Sequence, residues 1–178
     1  IVKPEYRGKL VMPHPTGHTL TTQWLASLDK IMPKQRAEKF IYDLAAAKPV
    51  FAESIVPSAD KVGTGEVPIG ITFARFVLTY NKQGANLDYI RDYNMLGDGQ
   101  YVNIAAKAPR PNAAKAFIDF FLDEESMKIQ ADTGEFVNRK GVYPPLQDAD
   151  KIKFVQMYQF GKEDFEAKKK EYQKIFFQ

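Results

Sequence analysis

Cysteine is absent from the 178 residues, and no apolar run approaches the roughly 20 residues that a membrane-spanning helix needs. The lack of cysteine excludes disulfide bonds, thiolate metal sites and cysteine nucleophiles. The phosphate-binding loop G-x-x-x-x-G-K-[ST] and the serine elbow G-x-S-x-G are also missing. Two common catalytic motifs therefore have no counterpart in this sequence.

Neither sign of charge dominates the sequence, which has 25 basic and 22 acidic residues and a formal net charge of +3. This balance gives no reason to expect a nucleic-acid partner, but it suits a small anionic ligand. Hydrophobic residues make up 44% of the chain and charged residues 26%, which is typical of a globular protein. We therefore expect one or two ordered domains around a sizeable core.

Short apolar runs alternate with stretches in which apolar residues recur every three or four positions. This alternation predicts an α/β fold with a mostly parallel sheet flanked by helices. Strands are predicted at residues 9–12, 50–51, 67–73, 87–90 and 101–105, and 91–100 reads as irregular. Helices are predicted at residues 19–31, 37–45, 54–62, 74–82, 113–122, 123–131, 148–157 and 162–177.

The turn between the first strand and the first helix, P-H-P-T-G-H-T, is crowded with hydrogen-bonding groups. Thr16, Gly17, His18 and Thr19 lie where the helix begins, and the unpaired N–H groups and positive dipole end of a helix start attract anions. These four residues are therefore candidate ligand contacts. The alternative is that a hydroxyl of Thr16 or Thr19 only caps the helix.

Ligands of parallel α/β sheets gather where strands end and helices begin, and this rule selects residues 13–19, 54–58 and 72–76. The second loop contributes Ser54 and Ser58, and the third contributes Thr72 and Arg75. A guanidinium at Arg75 can bind a carboxylate or a phosphate, whereas a surface ion pair is the alternative. We expect Tyr101, in the turn at 97–101, to close this ring of candidate residues.

The only two histidines, His14 and His18, are four residues apart, a spacing that can hold a metal on a helix. Pro13 and Pro15 flank His14 and interrupt any continuous helix, and no glutamate stands beside either histidine. We therefore predict no metal site and assign His18 a hydrogen bond to the ligand. No activated nucleophile is evident, and we predict no catalytic residues and no cofactor.

Three segments in this order, P-E-Y-R-G-K-L-V-M-P-H-P-T-G-H-T, G-E-V-P-I-G-I-T-F and P-N-A-A-K-A-F-I-D-F-F-L-D-E-E-S, resemble the periplasmic solute-binding proteins of ATP-driven (ABC) importers. The likeness covers residues 4–126 and is greatest to the type II fold group that binds ferric ion, thiamine or phosphonates. It implies a two-lobed protein in which residues 1–100 form the second lobe. Residues 101–142 would return to the first lobe, and residues 143–178 would be C-terminal helices that pack back on the second.

The same resemblance implies a partner and a location. The partner is the ABC permease, and the location is periplasmic or extracellular, with a membrane-anchored lipoprotein as one form. Family members carry an N-terminal half that supplies most of the first lobe, so we expect this sequence to be the C-terminal part of a longer protein. A returning segment without that lobe would expose apolar surface, which predicts either a dimer or a missing N-terminal lobe.

The ligand is also inferred from the resemblance. Iron-binding members carry adjacent tyrosines just after the G-E-x-x-hydrophobic-G strand, and the matching positions here are Arg75 and Phe76. An arginine at this point suits a small anion such as a phosphonate, a phosphate ester or a carboxylate. Three alternatives remain open: a ligand-sensing domain of a signalling protein, a ferric-ion binder, and an enzyme that uses His14 or His18 as acid or base.

Overall fold

The computed structural model of the chain describes residues 1–177; Gln178, the last residue of the predicted tail segment, lies outside the described residues. Its centre is a parallel sheet of three strands in the order β2-β1-β3. The strands are β1 (Leu10–Pro13), β2 (Val50–Ala52) and β3 (Ile69–Gly70). This arrangement confirms the predicted α/β class with a parallel sheet flanked by helices.

Seven α-helices lie within residues 1–177, and most follow the predicted bounds closely. They are α1 (Thr19–Ser27), α2 (Lys34–Ala46), α3 (Ile55–Gly63), α4 (Arg75–Asn81), α5 (Pro111–Phe121), α6 (Glu124–Ala131) and α7 (Lys162–Phe177). The first helix is shorter than predicted because its last turn tightens into a 3₁₀ helix at Leu28–Lys30. Further 3₁₀ turns occupy Pro4–Tyr6 and Ala149–Lys151.

The central strand β1 is buried on both faces, as its unbroken apolar run predicts. Successive side chains of a strand point to opposite faces, so Leu10 and Met12 share one face while Val11 lies on the other. The first face packs with α1, α2 and α7 in the largest core cluster, which includes Leu10, Met12, Leu25, Leu28, Ile41, Leu44 and Tyr172. The second face packs Val11 with Ala52 and Val67, and with Val62 of α3.

The last helix, α7, packs against α1 and α2. Tyr172 is its buried anchor, with only 1% of the residue exposed. Ile175 and Phe176 add partly buried contacts to the same cluster. Helix α7 is thus held against the helices that flank β1.

Three predicted elements in the second half of the chain are wrong. Residues 87–90 and 101–105 are not strands, and residues 148–157 contain a 3₁₀ turn and a strand instead of a helix. The irregular stretch 91–100 contains β4 (Asn94–Gly97), which pairs in parallel with β5 (Lys153–Gln156). The partner strands are far apart in sequence, and a strand whose hydrogen bonds go to a distant segment leaves little local signal.

The predicted strand at 67–73 is reduced to the two residues Ile69–Gly70. Pro68 cannot donate a ladder hydrogen bond, so pairing begins only after it. The residues after β3 turn at once towards α4, although the N–H of Ile71 still donates to the carbonyl of Val11 at 2.9 Å. The strand therefore ends at Gly70, just before the predicted loop at 72–76.

The segment that carries α5 and α6 has its own small cluster of Met127, Ala131 and Val142. No residue of α5 is buried, and the large apolar side chains exposed on α5, α6 and their junction are Phe117, Phe120, Leu122 and Ile129. A charge-free stripe of this kind on a helix normally packs against another element. Residues 143–177 hold only one α-helix, α7, together with β5, so the predicted set of C-terminal helices is reduced to one.

Candidate functional site

The three predicted loops lie at one edge of the sheet, because parallel strands end at the same edge. Two hydrogen bonds join neighbouring loops directly. The N–H of His14, just after β1, donates to the carbonyl of Ala52 in β2 at 2.9 Å. The hydroxyl of Thr72, after β3, donates to the carbonyl of Ile55 at the start of α3 at 3.3 Å.

The first helix begins without a hydroxyl cap, so the alternative in which a hydroxyl of Thr16 or Thr19 only caps the helix is wrong. The capping position is held by His18 in an extended conformation, with φ −118° and ψ 119°. The Thr16 hydroxyl instead lies 3.3 Å from Nδ1 of His14 and 3.4 Å from Oε1 of Gln173 in α7. Thr19 is exposed as the first helical residue.

The backbone N–H groups of the turn divide into two sets. Those of Thr16 and Gly17 donate to Nδ1 of His14 at 3.3 and 3.1 Å, so they are not available to a ligand. Those of Thr19 and Leu20 donate no hydrogen bond within residues 1–177. The donors left for an anion are therefore the first two of α1, next to the positive end of its dipole.

His18 occupies the capping position of the same helix start. Its Nδ1 lies 3.2 Å from the hydroxyl of Thr21, and its Nε2 makes no hydrogen bond within the described part of the chain. Burial lowers the pKa of His18, because a low-dielectric surrounding disfavours the charged ring. The imidazole is therefore neutral near pH 7 and can offer one nitrogen to a ligand.

The two serines of the second loop differ in position. Ser54 precedes α3 in an extended conformation and is partly exposed. Ser58 is fully buried, and its hydroxyl donates to the carbonyl of Ser54 at 3.1 Å. The structure therefore places Ser58 inside the helix start, where it supports the loop instead of lining an open surface.

Arg75 opens α4 and already binds a carboxylate. Its Nη1 lies 2.8 Å from Oε1 of Glu135, and its guanidinium stacks 4.8 Å from the centre of the Phe76 ring. Its Nε is buried without a partner in residues 1–177. Gly134, with φ +98°, brings the loop against Arg75 so closely that a Cβ there would lie 3.0 Å from the Arg75 Cα.

Tyr101 stands apart from these loops. It is 77% exposed and follows β4, which pairs with β5 and not with the three-stranded sheet. Its hydroxyl lies beside Gly99. The structure brings the candidates at 16–19, 54 and 72–75 to one edge, but it does not bring Tyr101 into a contact with them.

The sequence did not predict four residues that shape this edge. His14 accepts the two N–H groups of the turn, Gln173 and Phe177 of α7 contact the turn and the His14 ring, and Glu135 pairs with Arg75. Three of these lie more than 50 residues from their partners, so no local pattern could indicate them. Only His14 carries a local signal, since it stands two and three residues before the N–H groups that it binds.

A groove of about 290 Å³ lies away from this edge, between α4 and residues 145–147. Several of its polar groups pair with one another, although the Nε of Arg91 is buried without a hydrogen-bond partner within residues 1–177. Nη2 of Arg91 donates to both carboxylate oxygens of Asp88 at 2.7 Å and to Oε1 of Gln147 at 2.9 Å. The hydroxyl of Tyr89 donates to the carbonyl of Gln147. This groove therefore joins two loops and offers few free groups to a ligand.

Residues 1–177 contain no group of three or more histidine, aspartate or glutamate side chains placed to hold a metal ion. No helix among these residues combines the length and apolar character needed to cross a membrane.

The described residues thus form a parallel sheet flanked by helices, and one edge of the sheet carries His18, Arg75 and two N–H groups that donate no hydrogen bond within residues 1–177. A family model described as bacterial extracellular solute-binding protein matches residues 1–134, and the chain belongs to that family. Proteins of this family bind solutes outside the cytoplasm and are typically not enzymes. No curated protein sequence matches the chain.

Proposed function

We propose that the chain is part of the extracytoplasmic solute-binding component of an ABC importer and that it captures a small anion. The observation that carries this proposal is the pair of N–H groups at Thr19 and Leu20, which open α1 at the carboxyl edge of the sheet and donate no hydrogen bond within residues 1–177. A helix start of this kind favours negative charge. The ligand would be a phosphonate, a phosphate ester or a carboxylate, and no bond would be made or broken.

Arg75 supports an anionic ligand independently. Its guanidinium is held against a carboxylate in this conformation, and its buried Nε–H has no hydrogen-bond partner within residues 1–177. A guanidinium presents several donors in a fixed fork, so it can bind a ligand anion in place of Glu135 or beside it. Thr72 lies three residues before Arg75, in the loop that precedes α4, and its hydroxyl is near the start of α3. It would line the same edge. His18 would donate or accept through Nε2.

The division into lobes is part of the same proposal. Residues 1–100 would form the second lobe, residues 101–142 would return to a first lobe, and the tail would pack on the second. The exposed apolar stripe of α5 supports this division, because such a surface is expected to be covered by another lobe or by a second copy. A hinge motion between the lobes would enclose the ligand, and the protein would then deliver it to a permease. The protein would be either free outside the cytoplasm or anchored to the membrane as a lipoprotein.

The test is a binding screen on the full-length protein by thermal shift and calorimetry. A panel of methylphosphonate, sugar phosphates and dicarboxylates is compared with ferric ion. We expect at least one anion to stabilise the protein and ferric ion to have no effect. Stabilisation by ferric ion alone would contradict the anionic ligand.

A matched pair of variants tests the role of Arg75. Arg75→Gln should weaken binding of the active anion about tenfold or more, the loss expected for a charge-assisted hydrogen bond. Arg36→Gln removes the same charge from an exposed position of α2 that makes no ion pair within residues 1–177, and it should leave binding unchanged. Equal effects of the two substitutions would mean that only net charge matters and that Arg75 does not contact the ligand.

A further inference from the structure

His14 holds the turn that precedes α1 through one ring nitrogen. Its Nδ1 accepts hydrogen bonds from the N–H of Thr16 at 3.3 Å and from the N–H of Gly17 at 3.1 Å. A nitrogen that accepts two N–H groups carries no proton of its own, so the proton of the neutral ring is on Nε2. The geometry therefore fixes the tautomer of His14 as well as the path of the turn.

The ring itself is held by distant parts of the chain. Phe177, in the last turn of α7, stacks on it with a centroid distance of 4.9 Å and an interplanar angle of 12°. Phe51 of β2 contacts it at 5.5 Å. A Cβ at Gly17 would lie 3.3 Å from Nδ1, which is tighter than an ordinary contact, so the close approach of the turn to the ring favours glycine.

The hydrogen bonds of His14 decide which donors of the turn stay free. They use the N–H groups of Thr16 and Gly17, and the carbonyl of His14 accepts the N–H of His18 at 3.1 Å. The next two donors, at Thr19 and Leu20, then stand unpaired at the helix start. Without the ring acceptor, two N–H groups of the turn would lose their internal partner. The turn would then depend on the bond from the His18 N–H to the His14 carbonyl and on the bond from the Thr22 hydroxyl to the Pro15 carbonyl at 2.8 Å.

We propose that His14 is a positioning residue for the anion site: it does not touch the ligand, but it orders the turn that presents the N–H groups of Thr19 and Leu20. This inference rests on the proposed function, since it assigns His14 a role in the same site. The last turn of α7 acts as the support of the ring. The position of the C-terminal helix is thereby linked to ligand binding at the opposite end of the sequence.

Three substitutions separate the acceptor of His14 from its stacking. His14→Asn keeps an acceptor, because an asparagine oxygen can bind N–H groups two and three residues ahead, and it loses the stacking on Phe177. His14→Phe keeps an aromatic ring but has no acceptor. His14→Ala has neither. Affinity for methylphosphonate is measured by calorimetry, and exchange of the Gly17 amide hydrogen is measured by NMR without ligand.

We expect His14→Phe and His14→Ala to weaken binding about five- to tenfold, the loss of one to two hydrogen bonds, and to speed exchange at Gly17. His14→Asn should recover most of both properties. Long-range nitrogen correlation spectra of the wild type should show the proton on Nε2.

Two results would overturn the inference, and each points to a different failure. Wild-type affinity and wild-type exchange at Gly17 in His14→Phe would show that the acceptor has no role, while anion binding itself stands. Absence of methylphosphonate, phosphate-ester and carboxylate binding in the wild type would refute the proposed function, and the positioning role would fall with it.

Discussion

Replacing Glu135 by Gln removes the carboxylate that occupies Arg75 in this conformation. The Nη1 of Arg75 and Oε1 of Glu135 are 2.8 Å apart, so a ligand anion must share the guanidinium with Glu135 or displace it. Glutamine has the same shape and keeps one acceptor, but it loses the charge that competes with the ligand. We therefore expect Glu135→Gln to bind anions more tightly than the wild type.

The size of this effect follows from the exposure of the pair. The side chains of Arg75 and Glu135 are 38% and 45% exposed, so solvent screens their attraction strongly. Pairs of this kind contribute about 0.2–1 kcal/mol, and a ligand that displaces Glu135 gains back at most that amount. The dissociation constant should fall by a factor of about 1.4 to 5, and more at low ionic strength than at high.

Calorimetry with methylphosphonate at two salt concentrations measures this change. Glu125→Gln is the matched control, because Glu125 is exposed on α6 and makes no ion pair within residues 1–177. Both substitutions raise the net charge by one, so a long-range effect of charge would appear equally in both. If Glu135→Gln binds no more tightly than Glu125→Gln, Glu135 does not compete with the ligand and Arg75 lies outside the site.

Three further predictions concern the core, the turn and the exposed helix. Met12→Ala, at a fully buried position of β1, should lower the free energy of unfolding in urea by about 2–5 kcal/mol, and an unchanged midpoint would contradict the assigned core. Because burial lowers the pKa of His18 in the folded protein, the unfolded chain binds a proton on this ring more readily. The free energy of unfolding should therefore fall as the pH drops below about 6.5 towards the folded pKa, and His18→Gln should reduce this dependence on pH. The double substitution of Phe117→Ser and Phe120→Ser should reduce self-association in sedimentation experiments. If the variant sediments as the same dimer as the wild type, the dimer interface lies elsewhere.

Local patterns predicted the part of the fold that depends on neighbours in sequence. The unbroken apolar run Leu10–Pro13 indicates a strand that is buried on both faces, and the repeats of α2, α5 and α7 each indicate one apolar helix face. Both patterns are visible in the order of residues. The pair β4 and β5 was missed because each strand is stabilised mainly by the other, across a long stretch of chain. Pairing between distant segments is a property of the whole fold and not of either segment.

The candidate site also combines residues that the local sequence predicted with residues whose contacts come from distant segments. The loops at 13–19 and 72–76 were predicted from the rule that parallel strands end together, and that rule needs only the order of strands and helices. Glu135 and Phe177 were not predicted, because their contacts with Arg75 and His14 arise only after folding. The sequence made Ser58 a candidate ligand contact, whereas its buried hydroxyl donates to the carbonyl of Ser54. A serine that bonds the preceding turn looks the same in sequence as one that faces a ligand.

The most direct test of the account is an NMR titration of the nitrogen-15-labelled full-length protein with methylphosphonate. Backbone amide signals are followed residue by residue as the anion is added. The account predicts that the largest shifts occur at the amides of Thr19 and Leu20, with a smaller shift at the side chain of Arg75. Saturable binding that leaves these two amides unchanged and shifts signals elsewhere would contradict the claim that the start of α1 holds the ligand.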